Sequence, residues 1–321
     1  MAEGGSLTFR DPEPYIAAFG DIGLTFTIAG AGDFTARLTR MKLQNVDIYW
    51  CCESVPRIAF ISLPNARVVF TFPLGSVPQI TCGLALRSGD LVFHGHGDRV
   101  HQRFGGHGQW GLISFSDRQF DYISGALTGR PITSPPRSRV LKPTREASLR
   151  FHRLFRKARR FAEVSNELIA RHEVVRAMEE EVLHTVVQCI TDNQDSASTT
   201  QANHRASIMA RFEDALSKQI DRNVNIADLC TEIGVSERVL RTCCAQILGL
   251  SPLRYVLLRR LNRVRAALGH ADPSTTSVSE IARMNQFVEF GRFAAHYRDV
   301  FGELPSATLQ RQPEKGGCFQ P

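Results

Sequence analysis

The chain has 321 residues, 43% hydrophobic and 8% aromatic, with a formal net charge of +7. That is enough for two domains of ordinary size with real cores, and the basic balance favours polyanionic partners. No apolar run reaches the roughly 18 residues of a membrane span, the Met1-Ala-Glu-Gly-Gly-Ser6 start lacks a signal-peptide pattern, and eight scattered cysteines give no paired C-x-x-C for structural zinc.

A cytoplasmic, soluble, reduced protein without a membrane partner is therefore expected, its cysteines acting mostly as small buried hydrophobes. Residues 1–14 are polar and turn-rich and predict a frayed start. From about Tyr15 to Phe120 the pattern is strand-like. Leu24–Ile28, Phe34–Leu38, Val46–Trp50, Ile58–Ser62 and Ala66–Phe72 alternate, with Gly, Pro, Asn and Asp between them. Ile80–Leu86, Asp90–His94 and Gly111–Phe115 extend the series. The reading is an eight- or nine-stranded jelly-roll or cupin-like barrel over about 15–125, a class of fold that encloses a cavity. Trp50, Phe93, His94, His96 and Trp110 are candidate pocket residues.

His94-Gly-His96, with His101 and His107 nearby, has a spacing that suits metal, because residues i and i+2 of a strand face the same side. The carboxylate that cupin-type enzymes carry a few residues on is missing, since the segment reads Gly97-Asp98-Arg99-Val100-His101. No metal and no cofactor is expected. No catalytic Ser/His/Asp or Cys/His set, phosphate loop or nucleotide fingerprint is visible, so the chain does not read as an enzyme.

Residues 129–143 form a stiff connection with internal prolines at 131, 135 and 136. Two helical stretches follow over about 144–192. The first, very basic, runs from residue 144 or 145 to Phe161, and the second from Glu163 to Asn193. Residues 1–192 are thus one expected domain. Residues 193–204 are polar and of low complexity and read as a linker. A second domain spans 205–312, opening with a helix over 205–220. It carries 15 Lys/Arg against 11 Asp/Glu, +4 of the chain's +7.

That domain holds two helix-turn-helix patterns. In the first, Ile226, Leu229 and Ile233 form one apolar face, Gly234 supplies a left-handed stop, and Ser236 caps a helix over 237–246. Val239, Leu240 and Cys243 are expected inward, and Glu237, Arg238, Arg241 and Thr242 outward. An amphipathic basic helix, Leu253–Leu268, follows and closes near Gly269. The second unit starts at Thr276 or Ser277, turns near Asn285-Gln-Phe287 and resumes over about Phe290–Val300. Gly291, Arg292, Ala295 and His296 face out, while Phe293, Tyr297 and Phe301 form a core stripe. Two reading helices on one rigid linker can enter successive major grooves about 34 Å apart.

The pattern Ile233-Gly-Val-Ser236, Leu240, Leu248-Gly-Leu-Ser-Pro252, Tyr255, Arg260-Leu261, Ile281-Ala282, Phe287, Gly291-Arg-Phe293, Tyr297, Phe301-Gly302 and Pro305 resembles the AraC/XylS class of bacterial transcription factors. The match covers about the last third of the chain. Thr242 departs from a frequent basic residue, Cys244 from a usual Phe, and Gln286 from the common turn Gly. The resemblance implies a promoter-binding regulator, usually an activator, that contacts RNA polymerase. It further implies that the barrel holds a small-molecule effector, without metal, and that the helix pair packs on the barrel and serves dimerisation. Arg238, Arg241, Thr242 and Glu237 are the expected DNA-facing residues of the first unit, and Arg292, His296 and Gly291 those of the second. The alternatives are a metal-dependent cupin-type enzyme with a helical appendage, and an architectural DNA binder without ligand control.

Overall fold

The computed structural model describes residues 3–164, 171–193, 200–219 and 224–311. The expected helix across 165–170, the middle of the expected linker at 194–199, Ile220 and residue 312 lie outside them.

The N-terminal region is an antiparallel sandwich. One sheet has seven strands in the order β1 (Glu3–Phe9), β3 (Ala36–Lys42), β4 (Val46–Glu53), β11 (Gly108–Ser116), β6 (Arg67–Pro73), β9 (Leu91–Phe93), β12 (Arg139–Leu141). The other has five, in the order β2 (Gly23–Ile28), β5 (Arg57–Ser62), β10 (Arg99–Phe104), β7 (Gln79–Thr81), β8 (Leu84–Leu86). The period of two decides what each sheet buries. Along β4, Tyr49, Cys51 and Glu53 point between the sheets. Val46, Ile48 and Trp50 point the other way, into a second core built with α3 (Arg145–Val164) and α4 (His172–Thr191). The seven-stranded sheet is therefore covered on both faces.

The structure differs from the sequence reading at several places. The expected frayed start contains β1, which pairs with β3 over seven residues from Glu3↔Lys42 to Phe9↔Ala36. Gly4, Gly5 and Ser6 have weak strand propensity, and pairing with a distant strand overrides it. A short helix, α1 (Pro12–Ala17), follows, capped by Asp11. The histidine-rich segment contains β10, and α2 (Asp117–Thr128) follows the last long strand. The β7–β8 hairpin turns through Cys82 and Gly83, with φ of 49° and 83°, the doubly positive pair that suits a tight hairpin.

The C-terminal domain consists of α5 (Thr200–Lys218), α6 (Ile226–Ile233), α7 (Glu237–Ile247), α8 (Pro252–His270), α9 (Val278–Met284), α10 (Phe290–Phe301) and α11 (Pro305–Gln310). Helix α5 begins at Thr200, inside the expected linker. Gly269 does not close α8, which runs on to His270 and is capped at Ala271. The left-handed stop at Gly234 and the Ser236 cap are where the sequence placed them, with φ 67° and the Ser236 side chain accepting from the Val239 amide. Ser251 and Ser277 cap α8 and α9 in the same way.

Gln286 takes the same φ of 67° at the equivalent turn of the second unit. A side chain there costs on the order of 1 kcal/mol relative to glycine. Gln286→Gly is expected to stabilise the domain by about 1 kcal/mol in denaturant unfolding. A measured loss would mean that the contacts of the Gln286 side chain outweigh the backbone strain.

Candidate nucleic-acid interface

Helix α7 is held by one apolar stripe. Leu240, Cys243, Cys244 and Ile247 are buried against Ile208, Phe212, Leu229 and Ile233. Glu237, Arg238, Arg241 and Thr242 stay exposed as expected. Val239 was expected inward but is 40% exposed, and Cys244 takes the inward place. Arg241 lies 3.8 Å from Glu237, one turn back, and the Thr242 hydroxyl donates to the Arg238 carbonyl at 2.9 Å. Exposed i,i+4 pairs of this kind are worth only ~0.3–0.5 kcal/mol. Arg241 is therefore free energetically to exchange its carboxylate for a phosphate or a base edge.

Helix α10 has the same construction. Phe293, Tyr297, Val300 and Phe301 are buried, while Gly291, Arg292 and Ala295 are exposed and His296 is half-buried. Arg292 meets Glu289 at 3.0 Å with both side chains largely in solvent. A Cβ on Gly291 would meet nothing within 4 Å, so this glycine marks an open surface that can approach another backbone closely. The joining helix α8 has 19 residues and is therefore about 28 Å long. Tyr255, Leu258, Leu261, Val264 and Leu268 bury its inner side.

The sandwich grips the far ends of both reading helices. Gly83 of the β7–β8 hairpin sits where a Cβ would be 3.2 Å from the Gln246 carbonyl, near the C-terminus of α7. Gly249, just past α7, abuts the Arg103 guanidinium, and Gly302, just past α10, faces Ala31. The N-terminal halves of α7 and α10 are left open.

Strand β10 makes one set of bonds between the domains. Arg99, His101 and Arg103 alternate onto its outer face. Arg99 pairs with Asp214 at 2.7 Å, and His101 Nε2 meets Glu213 Oε1 at 2.8 Å. Glu213, on α5, also accepts from the Tyr255 hydroxyl at 2.6 Å and from Arg259 Nη1. Burial pushes the Glu213 carboxyl up, but the bonds from His101, Arg259 and Tyr255 outweigh it and hold the group below the usual carboxylate range. On α8, Asn262 bonds both the amide and the carbonyl of Ile28, at 2.9 and 3.0 Å. Beside it, a cleft of about 1200 Å³ runs between the α1–β2 region and α8, with Phe26, Ile28, Arg259, Asn262 and Arg265 among its walls.

The five candidate pocket residues do not meet. Trp50 and Phe93 face the helix pair, where Trp50 packs on Phe155 and Phe93 on Phe70. Trp110 lies on the opposite face, stacked on Phe19 and donating to Glu53 at 2.9 Å. His94 is buried. The Ser138 hydroxyl donates to Asp98 at 2.7 Å, so it accepts from His94 Nδ1 at 2.8 Å. The Thr71 hydroxyl then serves Nε2, also at 2.8 Å. His96 is half-exposed, 3.4 Å from Asp117. The i,i+2 argument does not apply, because β9 ends at Phe93 and the chain turns through Gly97. His101 is on the outer face, and His107 lies near Cys52 and Gln109. Among the described residues no three histidine, cysteine or acidic groups converge as a metal set.

Burial pushes the His94 ring down to about 4, with Asp98 opposing. A folded value below the ordinary 6.5 contributes stability that is complete above pH 6.5 and lost as pH falls toward 4. Between pH 7 and 5 the chain is expected to lose about 2 kcal/mol, and His94→Gln should flatten that slope in denaturant titrations at the two pH values. An unchanged slope would show that another group carries the acid sensitivity.

Residues 229–311 match the model of a helix-turn-helix domain. A XylDLEGF operon transcriptional activator of Pseudomonas putida is 36% identical over 100 residues, 31% of this chain and 30% of that protein. A probable thc operon regulatory protein of Rhodococcus erythropolis is 34% identical over 100 residues, again 31% and 30% of the two chains. The chain thus spans less than a third of the length of these curated relatives. The AraC-like transcriptional activator CuxR superposes with a TM-score of 0.39 at 14% identity, covering 81% of this chain and 94% of that one.

Proposed function

We propose that the whole protein is a sequence-specific transcriptional regulator of the AraC/XylS type under effector control, on the premise that residues 229–311 match a helix-turn-helix domain and are similar to an operon transcriptional activator. The observation that carries the proposal is the pair of reading helices. Their N-terminal halves are exposed, the first is capped by Ser236, and one 19-residue helix joins them. Arg238, Arg241, Thr242 and Glu237 form the first DNA contact surface, and Gly291, Arg292 and His296 the second. The promoter is the partner DNA. A relative named as an operon transcriptional activator supports activation, and RNA polymerase is the partner proposed for it. The helix pair α3–α4 is the dimerisation candidate, and the protein works in the cytoplasm without catalysis.

The effector belongs in the cleft between the α1–β2 region and α8. The sandwich interior is occupied by Trp110, Phe19, Tyr15 and the Glu53–Arg57 pair. A ligand in the cleft touches both the sandwich and the helix that spaces the two readers, so it can favour one arrangement over another, which effector control requires.

The test is selection of genomic fragments by the purified chain at a fixed ~150 mM salt, because non-specific affinity depends steeply on salt. The expected result is a motif of two boxes about one DNA turn apart. Arg238→Ala should then relax preference at one base pair of one box, a loss of ~1–3 kcal/mol of discrimination, measured on single-base variants. Fragments without a motif, bound only at low salt with and without cell extract, would overturn the reading.

A further inference from the structure

Ten large hydrophobic side chains are exposed among the described residues, and four of them crowd the starts of the two readers. Met284, at the end of α9, is 74% exposed. Val288, in the turn, is 83% exposed, the highest of the ten. Phe290, the first residue of α10, is 37% exposed with the Arg283 guanidinium 5.8 Å from its ring centre. Val239, the third residue of α7, is 40% exposed. The neighbouring Phe287 is buried at 8% and packs on Phe293, so the turn that carries Val288 is anchored. These side chains gain nothing from water.

The start of a reading helix is the part that meets base edges. Along the major groove the apolar feature of the base edges is the thymine methyl group. An apolar side chain at this place therefore has one chemical match in duplex DNA. We propose that Val288 and Phe290 read thymine methyl groups in the box bound by the second unit, and that Val239 does the same in the first. The inference rests on the DNA-reading function proposed above and adds which base the apolar positions select. Arg292, two residues further on, then supplies the polar contact to a neighbouring base pair. The second unit reads by apolar contact where the first presents Glu237 and Arg238, so the two boxes are expected to differ in sequence and the site to be asymmetric.

The experiment uses the full chain and the duplex motif recovered by selection. Each thymine in the two boxes is replaced in turn by deoxyuridine, which removes the methyl group and leaves every hydrogen-bonding atom in place. The wild-type chain is expected to lose three- to tenfold in affinity at one or two thymines of the second box. Val288→Ser should bind more weakly to the parent duplex and be indifferent to deoxyuridine at one of those positions, and Phe290→Ser at the other. Val288 is 83% exposed, so its variant folds, and circular dichroism checks the fold of both chains, Phe290 being 37% exposed. Specific binding with no deoxyuridine effect anywhere would overturn the inference and leave the regulator reading standing. So would Val288→Ser chains that bind DNA normally yet fail to activate polymerase, because the patch would then be a protein contact. Absence of any specific duplex would overturn both.

Discussion

Glu53→Ala is expected to destabilise the N-terminal sandwich by about 4 kcal/mol, enough to remove much of a domain's ordinary stability. Glu53 and Arg57 form an ion pair at 2.7 Å between the two sheets, with side chains 1% and 0% exposed. Glu53 also accepts from the Tyr15 hydroxyl at 2.7 Å and from the Trp110 indole at 2.9 Å. Arg57 in turn donates to the Gln102 carbonyl at 2.8 Å and lies 4.7 Å from the Phe104 ring centre. Removing the carboxylate leaves a guanidinium buried among aromatic rings with its counter-charge gone, and two further donors without their acceptor. Urea unfolding, followed by the fluorescence of Trp110 and Trp50, checks the size of the loss. A double variant, Glu53→Met with Arg57→Leu, removes both charges at once and is expected to cost less than Glu53→Ala alone. If the single variant costs under 1 kcal/mol, then water reaches the pair and the interior is not closed.

What was legible in the sequence follows the range of the interaction. Ser236, Ser251 and Ser277 announce helix starts because each cap bonds an amide three residues ahead. The C-terminal domain, built on such short spacings, was therefore readable almost element by element. The strand β1 was not, because its partner residues lie 27 to 39 positions away and its own Gly4-Gly5 says nothing about it. Whether His94 and His96 share a face was not legible for a related reason. Side-chain direction depends on where a strand ends, and β9 ends one residue before His94. Trp50 and Trp110 looked alike as pocket candidates, yet strand parity sends them to opposite faces of one sheet. Val239 looked like core because it is apolar, and the packing stripe passes through Cys243 and Cys244 instead. The contact between Arg99 and His101 on one strand and Glu213-Asp214 on one helix spans more than a hundred residues, and no local pattern marks it.

That contact sets the second large expectation. Glu213→Ala should cost about 3 kcal/mol, since a carboxylate 2% exposed would vanish from among His101, Tyr255 and Arg259. The loss should be shared by both domains, because His101 belongs to the sandwich and the other two to α8. Hydrogen exchange on the full chain should show the β10 and α8 amides losing protection together. Glu213→Gln keeps hydrogen bonding but not charge and should lose about half as much. Protection lost at α8 alone would place the role of Glu213 inside the C-terminal domain and deny it a part in coupling. The pH dependence separates this bond from the His94 relay. Glu213 is held below the ordinary carboxylate range, so its contribution is complete above that range and disappears only as pH falls through the lowered value. The His94 contribution goes earlier, between pH 6.5 and about 4. Acid should therefore weaken the sandwich before it parts the two domains, and a chain carrying Glu213→Ala should lose the later step while keeping the earlier one.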